Sequence, residues 1–89
     1  GYEDLLEINY QFPGPGKIAN VSIFNVHGVL IKKLLKNFIL NNEGSFIWDG
    51  FNEHGQPAPG GIYLLQAEFF DTDGYSRKFS KPFVLAVKF

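Results

Sequence analysis

Apolar and polar residues alternate along several short stretches of the chain, and the cleanest is "IYLLQAEFF" (Ile62–Phe70). Tyr63, Leu65, Ala67 and Phe69 fall on one face there, with Gln66 and Glu68 on the other, a period of two that predicts a half-buried strand. The same spacing sets Leu6, Ile8 and Tyr10 against Glu7 and Asn9, and Val21 and Ile23 against Asn20 and Ser22 within "ANVSIFNV" (Ala19–Val26). Two prolines and two glycines in "FPGPG" (Phe12–Gly16) end the first strand. "VHG" (Val26–Gly28) is short enough to turn the chain into "VLIKKLLK" (Val29–Lys36) as a tight hairpin. Leu30, Ile31, Leu34, Leu35, Phe38 and Ile39 also fit a helical stripe, but the short turn and the β neighbours on both sides favour a strand. "NNEG" (Asn41–Gly44) reads as a turn before a short strand, "SFIWD" (Ser45–Asp49). "DTDG" (Asp71–Gly74) supplies the Asp-Gly pair of a hairpin. Beyond it Tyr75, Phe79, Phe83, Leu85, Val87 and Phe89 share one parity. Pro82 interrupts them, which predicts two strands or one kinked strand at a sheet edge.

Six or seven short strands separated by turn signals indicate an antiparallel β-sandwich. The chain has 89 residues, enough for one domain. A domain so small buries only about 60–65% of its unfolded surface, so its core needs large side chains. Ten Phe, four Tyr and one Trp, 17% of the residues, supply them. Net charge is −1, from eight basic and nine acidic residues. That balance lacks the basic stripe expected of a nucleic-acid binder. Lys32, Lys33 and Lys36, and a second group of Arg77, Lys78, Lys81 and Lys88, are expected on solvated strand faces and at sheet edges. With no cysteine there is no disulfide and no thiolate chemistry. No apolar run approaches the ~18 residues of a membrane helix, so no direct membrane insertion is expected. The absence of methionine, even at position 1, suggests a piece of a longer or processed protein.

"IWDGFNEHGQPAPGGIY" (Ile47–Tyr63) contains the single tryptophan and asks whether this loop binds something or joins two buried strands. Trp48, one residue before a turn, is placed to lid one end of the core. Asp49 is suited to an Asx-turn, and Gly50 and Gly55 to left-handed backbone. Pro59 and Gly60 steer the chain into the next strand, and Gly61 permits a close approach or bulge. Tyr63 buries its ring while its hydroxyl reaches for a loop carbonyl. Every distinctive residue has a structural task.

The spacing Trp48-Asp49-Gly50, Gly55, then Pro59-Gly60-Gly61-Ile62-Tyr63 resembles the immunoglobulin-like domain family of the flagellar hook-capping protein. "NVSIFNVHGVLIKKL" (Asn20–Leu34) is similar to that family's hydrophobic hairpin around an Asn/Asp-x-x-Gly turn, and "FFDTDGYSRKF" (Phe69–Phe79) to its last hairpin. The opening "GYEDLLEINYQFPGPG" (Gly1–Gly16) resembles the C-terminal module of large Bacteroidetes surface proteins, including those with lamin-tail-like domains. The "SPDGD"-type stretch that usually precedes it there is absent from these residues. The resemblance implies an immunoglobulin-like sandwich of about seven strands over residues 1–89, in a secreted, periplasmic or surface protein. It implies structural work as spacer, anchor or C-terminal sorting element. Its partners would be the preceding domain of the parent chain and the export or surface machinery.

No enzyme chemistry, cofactor or metal site is expected. His27 and His54 sit beside glycines in turns, without the acid and nucleophile of a triad. "DTDG" begins like a calcium loop but lacks the later ligands and closing glutamate. Glu3, Asp4 and Glu7 would hold calcium only with further acidic residues. "GPGKIAN" (Gly14–Asn20) lacks the spacing of a phosphate loop. Tyr2, Phe12 and Phe51 lie off the strand parities and are expected at the surface. There they suit a domain–domain contact or, alternatively, a small carbohydrate-binding module.

Overall fold

A computed structural model describes residues 6–86. They form six strands: β1 (Leu6–Gln11), β2 (Ile18–Asn25), β3 (Leu30–Ile39), β4 (Glu43–Trp48), β5 (Gly61–Phe70) and β6 (Ser76–Leu85). The chain is an all-β antiparallel sandwich. β1 pairs with β4 in one sheet, and the other has the order β3-β2-β5-β6. Six strands stand among the described residues, against the expected seven or so.

The core follows the alternation of β2 and β5. Ala19, Val21 and Ile23 are wholly enclosed, and Tyr63, Leu65, Ala67 and Phe69 are buried beside them. Leu6, Ile8, Tyr10 and Phe46 of the smaller sheet pack against this layer. Leu40, buried where the chain crosses between sheets, ties the β1–β2 connection down. Its N–H donates to the Lys17 carbonyl at 2.7 Å, and its carbonyl accepts from the Gly16 N–H at 3.0 Å.

β3 is a strand, and its double periodicity has a physical cause. Pairing with β2 slips at three places, between Ala19 and Val21, Val21 and Ser22, and Ile23 and Phe24. At each slip β3 advances one residue more than β2, which is a β-bulge that flips the facing parity. Ile31, Leu34 and Leu35 therefore all turn toward the core, a spacing that strict alternation forbids. Asn37 adopts φ 49° at the first slip. Asn20 clasps it there: the Asn37 N–H donates to Asn20 Oδ1 at 2.9 Å, and Asn20 Nδ2 donates to Asn37 Oδ1 at 3.1 Å.

One expected boundary changes. "NNEG" is not wholly a turn, because Glu43 and Gly44 already pair with Gln11 and Tyr10. Gly44 is needed there: the Tyr10 ring lies across it, and a Cβ would come within 2.8 Å of the Tyr10 Cζ. Of the two arrangements expected around Pro82, the single strand at a sheet edge is the one found. β6 runs in unbroken register with β5 and is the edge strand, where a proline's missing N–H costs no ladder bond.

Three turns share one construction. In Asn25-x-x-Gly28-Val29, Asn52-x-x-Gly55-Gln56 and Asp71-x-x-Gly74-Tyr75, the first side chain's Oδ1 accepts the N–H groups two and four residues on, all at 2.9–3.0 Å. In each, the first residue's N–H also donates to the carbonyl four residues on. The glycines take φ 79°, 75° and 94°, a region closed to most side chains. An Asn or Asp followed three residues later by Gly thus marks each reversal.

Candidate interaction surface

The loop from Asp49 to Gly60 is built around Trp48. The indole has no exposed surface and meets the rings of Tyr63 and Phe83 edge-on at 5.4 and 5.7 Å. Its Nε1–H donates to the Phe51 carbonyl at 2.9 Å, which pins the loop over the end of the core. Asp49 Oδ1 accepts the Phe51 N–H at 3.0 Å, and Gly50 at φ 85° turns the chain. The Ala58 N–H donates back to the Gly50 carbonyl at 2.8 Å, and the Tyr63 hydroxyl donates to the Pro59 carbonyl. Gly61, at φ 148°, opens β5. Trp48, Asp49, Gly50, Gly55, Pro59, Gly61 and Tyr63 therefore lie together at one end of the sandwich.

The aromatics assigned to the surface do not gather into one face. Tyr2 lies outside the described residues. Phe51 is 37% exposed beside Trp48. Phe12 sits at the opposite end and is half-buried rather than free. Its ring meets Phe69 at 5.4 Å and Tyr75 at 6.0 Å. Lys17 closes that end, with its Nζ 4.8 Å from the centre of the Tyr75 ring and 2.9 Å from Asp71 Oδ2. The lysine, helped by the Tyr75 and Asp73 amides, holds the Asp71 carboxyl below its ordinary pKa against a smaller opposing desolvation. "DTDG" is thus a hairpin turn locked to the β1–β2 loop. Two of the acidic residues considered for calcium, Glu3 and Asp4, lie outside the described residues, and Glu7 is exposed on β1. Among the described residues no three His, Asp or Glu side chains are placed to hold a metal ion. His27 and His54 are both exposed in turns.

The surface that the parity analysis passed over lies on the outer face of the four-stranded sheet. Register aligns Leu30, Phe24, Leu64 and Pro82 in one row across all four strands. Ile62 pairs with Val84 in the adjacent row, and Val26 lies just beyond Phe24. Val84 is 70% exposed, Val26 66% and Ile62 57%. The middle of this face is polar, with Asn20 aligned with Glu68 and Lys78, and Ser22 with Gln66 and Ser80; at the far end Ile18, Phe70 and Ile39 form a further apolar row. An outer sheet face normally stays polar along its length, and large contiguous exposed apolar patches mark contact sites. Its signal was present as apolar residues on both parities, in "IYLL" (Ile62–Leu65) and "IFNV" (Ile23–Val26).

The chain matches no family model and no curated protein. Among solved structures it is similar to FlgD from P. aeruginosa, at 20% identity and TM-score 0.65 over 91% of this chain. It is also similar to FlgD from Xanthomonas campestris, whose hook capping is essential for flagellar assembly, at 25% identity and TM-score 0.56 over 94% of this chain. The chain spans 62% and 69% of those two proteins.

Proposed function

We propose that this chain is a non-enzymatic contact module, a single sandwich domain that acts as rigid spacer or anchor in a larger exported or surface-located protein. The apolar rows around Ile62 and Val84 on its outer sheet face carry the reading. Chain direction adds to it: β1 starts opposite Trp48, β5 starts at Gly61, and β6 ends opposite Gly61 at Leu85. All three points lie at the end of the sandwich where Phe24, Leu30, Ile62, Leu64 and Val84 are grouped. A domain entering through β1 therefore lies at the end of the sandwich that carries the apolar rows. Likeness to FlgD, a hook-capping protein, supports an assembly role over catalysis and a place outside the cytoplasm. The resemblance of residues 1–16 to Bacteroidetes surface proteins supports the C-terminal module of such a protein, with sorting as an added task.

The chain has no native cysteine, which gives a clean test. Val84→Cys and, in the polar middle of the same face, Ser80→Cys are alkylated in the 89-residue chain and in the parent protein. The proposal expects Val84→Cys to be protected in the parent while Ser80→Cys reacts equally in both. Equal reaction of Val84→Cys in both refutes it. Sorting is tested separately by appending the 89 residues to a periplasmic reporter in a Bacteroidetes host. A reporter that stays in the periplasm removes that part.

A further inference from the structure

The inner face of β6 is only half covered. Register with β5 places Arg77 beside Phe69, Phe79 beside Ala67, Lys81 beside Leu65 and Phe83 beside Tyr63. Cross-strand partners point to the same face of a sheet, and the four β5 residues are buried core. Arg77, Phe79 and Lys81 therefore share the inward face of this edge strand, where both cations remain exposed as expected. Phe83 is covered by Trp48, whereas Phe79 remains 55% exposed. What is missing above it is a strand beside β1. A trough of about 650 Å³ lies there, lined by Ile8, Tyr10, Phe12, Leu65, Phe79 and Lys81 among others.

One wall of this trough is an open sheet edge. The Phe12 N–H donates to the Asn42 carbonyl, so the even-numbered residues of β1 exchange bonds with the β4 side. By the alternation of an antiparallel ladder, the peptide groups of Glu7, Asn9 and Gln11 face the other way, along the trough. Among the described residues, no strand pairs with β1 on that side. β1 carries neither lysine nor proline to guard this edge.

From this edge and floor we infer that the trough seats an extended segment of another polypeptide, added as a strand to β1, with an acidic–x–apolar–x–acidic pattern on its inward face. Peptide groups of Glu7, Asn9 and Gln11 supply the ladder bonds, the general mode of strand addition. Phe79, Leu65 and Ala67 meet the central apolar side chain. Arg77 and Lys81 are four residues apart, about 13 Å along a strand, the same span as the two acidic positions of an aligned segment. Among the described residues, ion pairs join Lys17 to Asp71 and Lys78 to Glu68, and neither uses Arg77 or Lys81. Lys81 lines the trough, and Arg77 stands beyond Phe79 on the same face of β6, so the charge beside the trough selects an acidic occupant. The trough lies apart from the outer-face rows, so this inference stands or falls separately from the contact proposed there.

The test is a ¹H–¹⁵N NMR titration of the 89-residue chain with the peptide Ser-Thr-Asp-Thr-Leu-Thr-Asp-Thr-Ser, blocked at both ends. A control peptide carries lysine at both aspartate positions. Shifts are expected at Glu7, Asn9, Gln11 and Phe79 to Lys81, with the control bound about tenfold more weakly. The double variant Arg77→Glu, Lys81→Glu is expected to reverse that preference. No shifts at millimolar peptide, or equal binding of both peptides, overturns the inference. So do edge shifts that grow with protein concentration alone, which would assign the trough to a second copy. A response that appears only after truncation behind Ala86 would assign it to the chain's own end and overturns it too.

Discussion

Replacing Trp48 by alanine removes the side chain that joins the two sheets at the loop end. The indole is wholly enclosed, so the change opens a cavity that the flanking Tyr63 and Phe83 rings, held by their own strands, fill only in part. Buried Trp→Ala changes cost about 3–5 kcal/mol. A domain of 89 residues has a total stability of roughly 4–13 kcal/mol at 0.05–0.15 per residue. The variant is therefore left marginal or unfolded. With a urea slope near ~1.3 kcal/mol/M, the midpoint falls by about 2–4 M. Far-UV circular dichroism is the readout, because the variant lacks the fluorescent indole. Trp48→Phe keeps a ring between Tyr63 and Phe83 but loses the bond to the Phe51 carbonyl, and is expected to cost only about 1–2 kcal/mol. An alanine cost below about 1.5 kcal/mol would refute the reasoning. So would equal costs for the two variants, which would place the energy in the hydrogen bond rather than in burial.

Three further outcomes are expected. Tyr63→Phe, which removes only the hydroxyl bonded to the Pro59 carbonyl, lowers the urea-derived stability by about 1 kcal/mol. Gly28→Ala, Gly55→Ala and Gly74→Ala each cost about 1–2 kcal/mol, although open space surrounds all three. Gly14→Ala, also in open space but without a positive φ, stays within about 0.5 kcal/mol, and equal costs for all four would count against the shared turn. Asp71→Asn changes the acid limb of stability. The folded-state pKa of Asp71 is lowered, so its stabilisation is complete above the unfolded value of about 3.9 and fades as pH falls through the lower folded value. The gap between the two proteins in urea midpoint should be present at pH 6 and close below about pH 3.9. A gap that persists to the acid limit contradicts the Lys17 pairing.

Much of this fold is legible in the residues themselves. The alternation of "IYLLQAEFF" gives the buried face of β5 without error, because β5 lies in mid-sheet and its partners stay in register with it. The Trp48–Tyr63 end was readable too, since a turn tryptophan and a strand-start tyrosine each need burial with a polar outlet. β3 was harder. Its bulges add residues on one side of the ladder only, and a single strand's pattern does not reveal where its partner slips. β6 misled in a different way: its parity is right, but Phe79 is exposed because cover depends on the other sheet, not on its own alternation. The outer-face rows were missed because Phe24, Leu30, Leu64 and Pro82 come from four strands and align only through register. Tyr2, Phe12 and Phe51 looked like a surface set, yet Phe12 and Phe51 occupy opposite ends of the molecule.

The most direct measurement of the central claim is the tumbling of this module inside its parent protein. With only the module ¹⁵N-labelled by segmental ligation, relaxation rates report whether it moves with the rest of the chain. Docking through Ile62, Val84 and the neighbouring row predicts the correlation time of the whole parent, falling toward that of a free small domain in the Ile62→Lys, Val84→Lys variant. Free tumbling in the unaltered parent would contradict the account.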